Sequence, residues 1–139
     1  MKSQRFGIEI EMTGLTRRSA ALIIAKHFDT GFRHERGVYD TYSVCDQDGR
    51  KWKIVRDASI TPQCGNRFDY DPDYKVEVVS PICHYEDIET IQSIVRELRR
   101  NGHAKVNESC GIHIHVDASK HTARSLRNIA NIMYSKEDL

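Results

Sequence analysis

Gly111-Ile112-His113-Ile114-His115-Val116-Asp117 alternates apolar and polar side chains without a break. In a strand, successive side chains point to opposite faces. Ile112, Ile114 and Val116 therefore share one face, and His113, His115 and Asp117 the other. Phe6-Gly7-Ile8-Glu9-Ile10-Glu11-Met12 repeats the pattern with acids, setting Gly7, Glu9 and Glu11 against Phe6, Ile8, Ile10 and Met12. Two such strands predict a sheet with an apolar back and a front that carries imidazoles and carboxylates. Such a front suits metal binding or acid/base chemistry.

Working outward from these strands, the remaining segments supply helices for the apolar back. Thr16 is a helix N-cap candidate, and Arg17 to Phe28 suits a short helix with Gly31 beyond its end. Residues 38–44 and 51–56 read as two strands around Asp46-Gln47-Asp48-Gly49, a hairpin signal. Residues 61–74, with Pro62, Gly65, Asn66 and four aspartates or prolines after them, read as an irregular loop. Lys75 to Ser80 is a further strand, stopped by Pro81. Asp87 to Arg100 is the clearest helix, with Ile88, Ile91, Ile94, Val95 and Leu98 on one stripe and Gly102 where a cap belongs. A last helix, about 122–135, places Leu126, Ile129, Ala130 and Met133 together. Strand, helix, hairpin, strand, helix, strand, helix is an α+β order: a mostly antiparallel sheet with helices on one face and an open, ligand-bearing face.

The chain has 139 residues, enough for a single domain, 1–139, with its own core. Its 21 basic and 20 acidic residues leave a net charge of +1, without the basic excess of a dedicated nucleic-acid binder. No apolar run reaches membrane-spanning length. No signal-peptide core precedes the first strand, so a cytoplasmic location is the expectation. Cys45, Cys64, Cys83 and Cys110 are evenly spread with no CxxC pair, which predicts reduced thiols rather than a zinc ribbon.

Glu9 and Glu11, two apart on a strand, would project roughly 6–7 Å apart on one face. Their mutual repulsion would be relieved by a hard divalent cation such as Mg²⁺ or Mn²⁺. The same alternation also fits the wet side of an edge strand. Glu77 lies within Val76-Glu77-Val78-Val79, where an unpaired buried carboxylate is costly. It calls for a metal or an arginine partner. Asp57 stands where a strand leaves the sheet, and either binds a metal or closes an Asx-turn with Ser59. Asp117 either accepts a histidine N–H or caps the following helix.

Four segments in order resemble the amidoligase family of the carboxylate–amine ligase, or glutamine-synthetase-like, superfamily. They are Phe6 to Glu11, Trp52-Lys53-Ile54-Val55-Arg56-Asp57-Ala58-Ser59-Ile60, Val76-Glu77-Val78-Val79-Ser80-Pro81-Ile82, and Cys110 to Asp117. The resemblance implies an antiparallel sheet whose open face holds ATP and divalent metals. It also implies ATP-dependent amide formation through an acyl phosphate, on small-molecule or peptide carboxylates and amines. The chain has no Gly-x-x-x-x-Gly-Lys loop, which fits a site where metals hold the phosphates. Carried over by position, Glu9, Glu11, Glu77 and His113 are the implied metal ligands. His115 is implied at the ATP phosphates, and Glu11 at the metal-bound nucleotide. Asp57 and Ser59 form the reactive rim, and Trp52 packs the sheet. Family members continue past the histidine strand, so the resemblance also implies the N-terminal part of a longer catalytic domain.

Other functions use the same residues. A hydrolase could activate water on a zinc held by His113 and His115. A non-catalytic module could bind nucleotide or metal alone. Cys110, at the start of the histidine strand, could act as a nucleophile, against the plainer reading of a structural thiol.

Overall fold

The computed structural model describes residues 3–65 and 67–136. Eight strands and three helices follow in the order β1 (Phe6–Met12), α1 (Arg17–His27), β2 (Phe32–Arg36), β3 (Thr41–Cys45), β4 (Lys51–Val55), β5 (Gln63–Cys64), β6 (Arg67–Phe68), β7 (Val76–Val79), α2 (Ile88–Gly102), β8 (Ile112–Val116) and α3 (Ala123–Tyr134). Six strands form one sheet in the order β2-β3-β4-β7-β1-β8, every neighbouring pair antiparallel. The fold is α+β, as the order of elements predicts. Among the described residues, no helix is long and apolar enough to cross a membrane.

The apolar alternation works as expected on the strands that helices cover. Met12, Trp52, Ile54, Val76 and Val78 are buried beneath Ala20, Ala21 and Ile24 of α1 and Ile91, Ile94 and Leu98 of α2. Thr16 caps α1, its hydroxyl accepting the Ser19 N–H at 3.2 Å. His27 of α1 meets Glu97 of α2 at 2.8 Å, tying the two helices.

Three expectations are corrected. The strand expected at 38–44 is displaced: 37–40 is a turn, with Arg36, Gly37 and Asp40 at positive φ, and a strand the pattern did not announce, β2, precedes it. Phe-Arg-His-Glu-Arg carries only one apolar residue because β2 is a sheet edge with little to bury. Gly102 does not cap α2; His103 does, at φ 59°. Gly102 lies within the last turn because a Cβ there would stand 2.7 Å from Ile23 and 2.9 Å from Leu15. Finally, β1 is not an edge strand but lies between β7 and β8. That removes the wet-edge explanation for Glu9 and Glu11.

Candidate metal and substrate site

Register gathers the predicted residues on the open face. β1 sets Glu11 opposite Glu77 of β7 and Glu9 opposite His113 of β8. On the far side of β7, Val55 pairs with Glu77, and Asp57 follows two residues later as β4 ends. Two donor sets result. Glu9, Glu77 and His113 each offer one ligand atom within 4.8 Å of the others, and so do Glu11, Asp57 and Glu77. Glu77 belongs to both. Four carboxylates and one imidazole form an oxygen-rich set, the donor chemistry of hard divalent cations.

The acids sit in different electrostatic surroundings. Glu11 is 5% exposed and accepts the Gly111 N–H at 2.6 Å. Glu9 accepts from His115 Nε2 at 3.1 Å and lies 3.3 Å from His113 Nδ1. These contacts, that of His115 foremost, hold its carboxyl below the usual range against the opposing effect of burial. Asp57 accepts both the hydroxyl and the N–H of Ser59 at 2.6 Å, and these bonds hold its carboxyl below the usual range. Glu77 goes the other way. Burial, and then the charges of Glu9, Asp57 and Glu11, push its pKa up to about 7, and only His113 opposes them. Among the described residues no arginine pairs with Glu77, so the partner that the sequence left open is not a guanidinium.

The predicted residues therefore divide. Glu9, Glu11, Asp57, Glu77 and His113 supply the donor sets. His115 stands beside them, held by Glu9, and borders a cavity of about 340 Å³ that Gly7, Ser80, Pro81 and Ile82 also line. Ser59 is outside both sets and bonds to Asp57, which closes the Asx-turn and still offers an oxygen to a candidate donor set. Asp117 does neither thing expected of it. Its carboxylate binds Arg5 at 2.7 Å and the Ser119 N–H at 2.9 Å, while Thr122 caps α3. The Cys110 thiol donates to Asn107 Oδ1 at 3.6 Å rather than to either strand histidine. All four cysteines are free. Trp52 is buried in the back of the sheet, its Nε1 donating to Asp46 at 3.3 Å.

Two supporting residues escaped the sequence reading. Arg17 is 2% exposed and donates to Asp40, Asp73 and the carbonyls of Pro72 and Lys75 at 2.6–3.1 Å. It fixes the segment that runs into β7 and hence Glu77. Its signal was present: Arg17, Ala20, Ala21 and Ile24 follow helical spacing on one buried face. Asn107 ties the other rim. Its side chain donates to Thr61 O and accepts from Ser109, while the Ser109 hydroxyl accepts the Thr61 N–H. This joins the loop after Asp57 to the loop before Gly111.

Over residues 2–139 the chain matches the family described as "Putative amidoligase enzyme". The chain belongs to the amidoligase family. The match covers all four segments that carried the resemblance, and with them every residue of the donor sets. No curated protein and no solved structure matches the chain. In this amidoligase-family chain the family name accords with an acidic sheet face and assigns no individual residue.

Proposed function

We propose that the chain carries the metal-binding wall of an ATP- and Mg²⁺-dependent carboxylate–amine ligase. The observation that carries the reading is Glu77, shared by two donor sets, its pKa pushed up to about 7 by burial first and then by the charges of Glu9, Asp57 and Glu11. A carboxylate so placed favours a divalent cation over a proton once one is offered. Glu9, Glu77 and His113 would hold one cation and Glu11, Asp57 and Glu77 a second. Mg²⁺ or Mn²⁺ bound there would neutralise the triphosphate and stabilise charge on the transferring phosphoryl group. His115, beside the cavity at the start of β1, would donate to a phosphate oxygen. Ser59 keeps Asp57 ionised and oriented. In the reaction the substrate carboxylate attacks the γ-phosphorus and ADP leaves. The amine then attacks the acyl phosphate, loses a proton and expels inorganic phosphate, leaving the amide. As part of a longer catalytic domain, the chain would meet its substrates with residues supplied from beyond this wall.

The test is release of ADP and phosphate by the longest natural form of the protein with ATP, Mg²⁺ and mixtures of amino acids or peptides. Turnover that depends on both carboxylate and amine, and is lost in Glu11→Gln together with Mg²⁺-dependent nucleotide binding, is expected. No turnover with any mixture, and nucleotide binding unchanged in Glu11→Gln, would sink the reading. The zinc hydrolase reading is disfavoured because each donor set holds at most one imidazole. Stoichiometric zinc retained through purification, with activity independent of nucleotide, would restore it.

A further inference from the structure

The two candidate donor sets are held in different ways. Glu9, Glu77 and His113 stand on the neighbouring strands β1, β7 and β8, and Glu9 is the ladder partner of both Val79 and His113. Strand pairing on both sides of β1 therefore fixes that set. The set of Glu11, Asp57 and Glu77 relies on loops. Asp57 lies past the end of β4, in residues 56–62, which belong to no strand. Glu11 opposes Glu77 on one side and on the other meets Gly111, the residue before β8. It donates its N–H to Gly111 O at 3.0 Å and accepts the Gly111 N–H on Oε2 at 2.6 Å.

Asn107 joins these two loops. Its Nδ2 donates to Thr61 O at 2.9 Å. Its Oδ1 accepts the Ser109 N–H at 3.0 Å and the Ser109 hydroxyl at 2.6 Å. Ser109 Oγ in turn accepts the Thr61 N–H at 2.8 Å. Both backbone polar groups of Thr61 are thus met by side chains, which stand in for a strand partner. The Asn107 carbonyl also accepts the Cys110 N–H at 3.0 Å, closing the turn that delivers Gly111 to Glu11. Ile60, next to Thr61, is fully buried and anchors the same loop.

We propose that Asn107 is a positioning residue for one of the two cations: it fixes the set of Glu11, Asp57 and Glu77, and leaves the set of Glu9, Glu77 and His113 to the sheet. The inference rests on the metal reading above. Ser59 orients the Asp57 carboxylate only within its own turn. What places that turn against β1 is the Thr61 strap, and Asn107 supplies one of its two bonds and orients Ser109 for the other. Mg²⁺ demands near-ideal oxygen geometry, so a loop that drifts loses the ion. Removing a partner that orients a ligand typically costs about 10–100-fold in metal affinity. Asn107 also closes an Asx-turn with Ser109. Aspartate at 107 separates the two roles, because it keeps the acceptor for Ser109 and lacks the donor for Thr61 O.

The test is a Mn²⁺ titration of the longest natural form, with free ion counted by electron paramagnetic resonance. The wild type should show two sites that Glu77→Gln abolishes. Asn107→Ala and Asn107→Asp should each weaken one of them by about 10–100-fold and leave the other within about twofold. Ser109→Ala, which removes one of the two bonds to Thr61, should give a smaller loss at the same site. Val44→Ala, a buried cavity on β3 with β4 between it and the donor strands, should leave both sites intact. Amide exchange of the metal-free protein tests the strap without the ion. In Asn107→Asp the Ser59 and Gly111 amides should exchange faster, and that of His113, in the β1 ladder, should not change. Two sites of unchanged affinity in Asn107→Asp, equal weakening of both, or wild-type exchange at Ser59 and Gly111 would overturn the inference and leave the metal reading standing. A wild type that binds no Mn²⁺ would sink the metal reading and this inference with it.

Discussion

β1 and β8 carry the same alternation and pair residue for residue, yet they live in different solvents. Ile10 of β1 packs against the core, while Ile112, its direct partner on β8, is 63% exposed. On the front, Glu11 of β1 is buried and bonded to the Gly111 N–H, whereas His113 and His115 of β8 stand open. One register step across a sheet separates a strand held from both sides from a strand held from one. Periodicity specifies which side chains share a face. It does not specify what covers that face.

The contrast can be broken first with cavities. Ile54→Ala, at a fully buried position next to the β7 centre, should cost about 2–5 kcal/mol in chemical denaturation. Ile112→Ala, at a 63% exposed position on β8, should stay within about 0.5 kcal/mol. Equal losses would mean that β8 is as deeply packed as the centre. Next is the clamp that holds β7. Arg17→Ala should destabilise by about 3 kcal/mol, since it strips two carboxylates and two carbonyls of a buried guanidinium. It should also weaken the rise in melting temperature that Mg²⁺ would give at the proposed site, because Glu77 loses its fixed approach.

Glu77 gives a smaller effect with a definite sign. Its carboxyl ionises at about 7 in the fold against an ordinary 4.5. The folded state therefore keeps a proton that the unfolded chain releases. Stability of the metal-free protein falls as pH rises from about 4.5 to about 7 and stays low above that. Glu77→Gln should raise the melting temperature by about 2–4 °C at pH 8 and leave it unchanged at pH 4. If the proposed site binds Mg²⁺, the ion should raise the wild-type melting temperature and the same substitution should remove that rise. The smallest effect belongs to β8. His115→Ala should let the Glu9 carboxyl rise toward its ordinary value in an NMR titration, because its largest stabilising contact is gone. The stability change should remain within about 0.5 kcal/mol, as for other exposed pairs. A larger loss would place His115 in the framework rather than at the site.

Most of the candidate donor face was legible because its residues lie on strands whose period is two. Glu9 and Glu11 share a face for that reason alone, and the register of β7 and β8 against β1 brings Glu77 and His113 to it. Asp57 was ambiguous, since an Asx-turn and a donor role use the same carboxylate, and the two turned out to be compatible. β2 was illegible because an edge strand with one half-buried phenylalanine leaves no periodic trace. The Gly102 cap was misread because close packing against Leu15 and Ile23 looks, in sequence, like the left-handed end of a helix. Asp117 was misread because its partner, Arg5, is adjacent only after β1 and β8 pair.

By itself the sequence determined the strands of the donor face, the helix that caps itself at Thr16, and the polar side of each strand. These depend on local geometry, on the two-residue repeat and on side chains within a turn of their targets. Tertiary structure alone decided that Glu77 is shared between two candidate donor sets, that Arg17 is the clamp behind it, and that among the described residues the apolar side of β8 lies outside the cover of α1 and α2. Each of these follows from which strands become neighbours, and strand order is set by how helices and loops bury the common core rather than by any one segment's pattern.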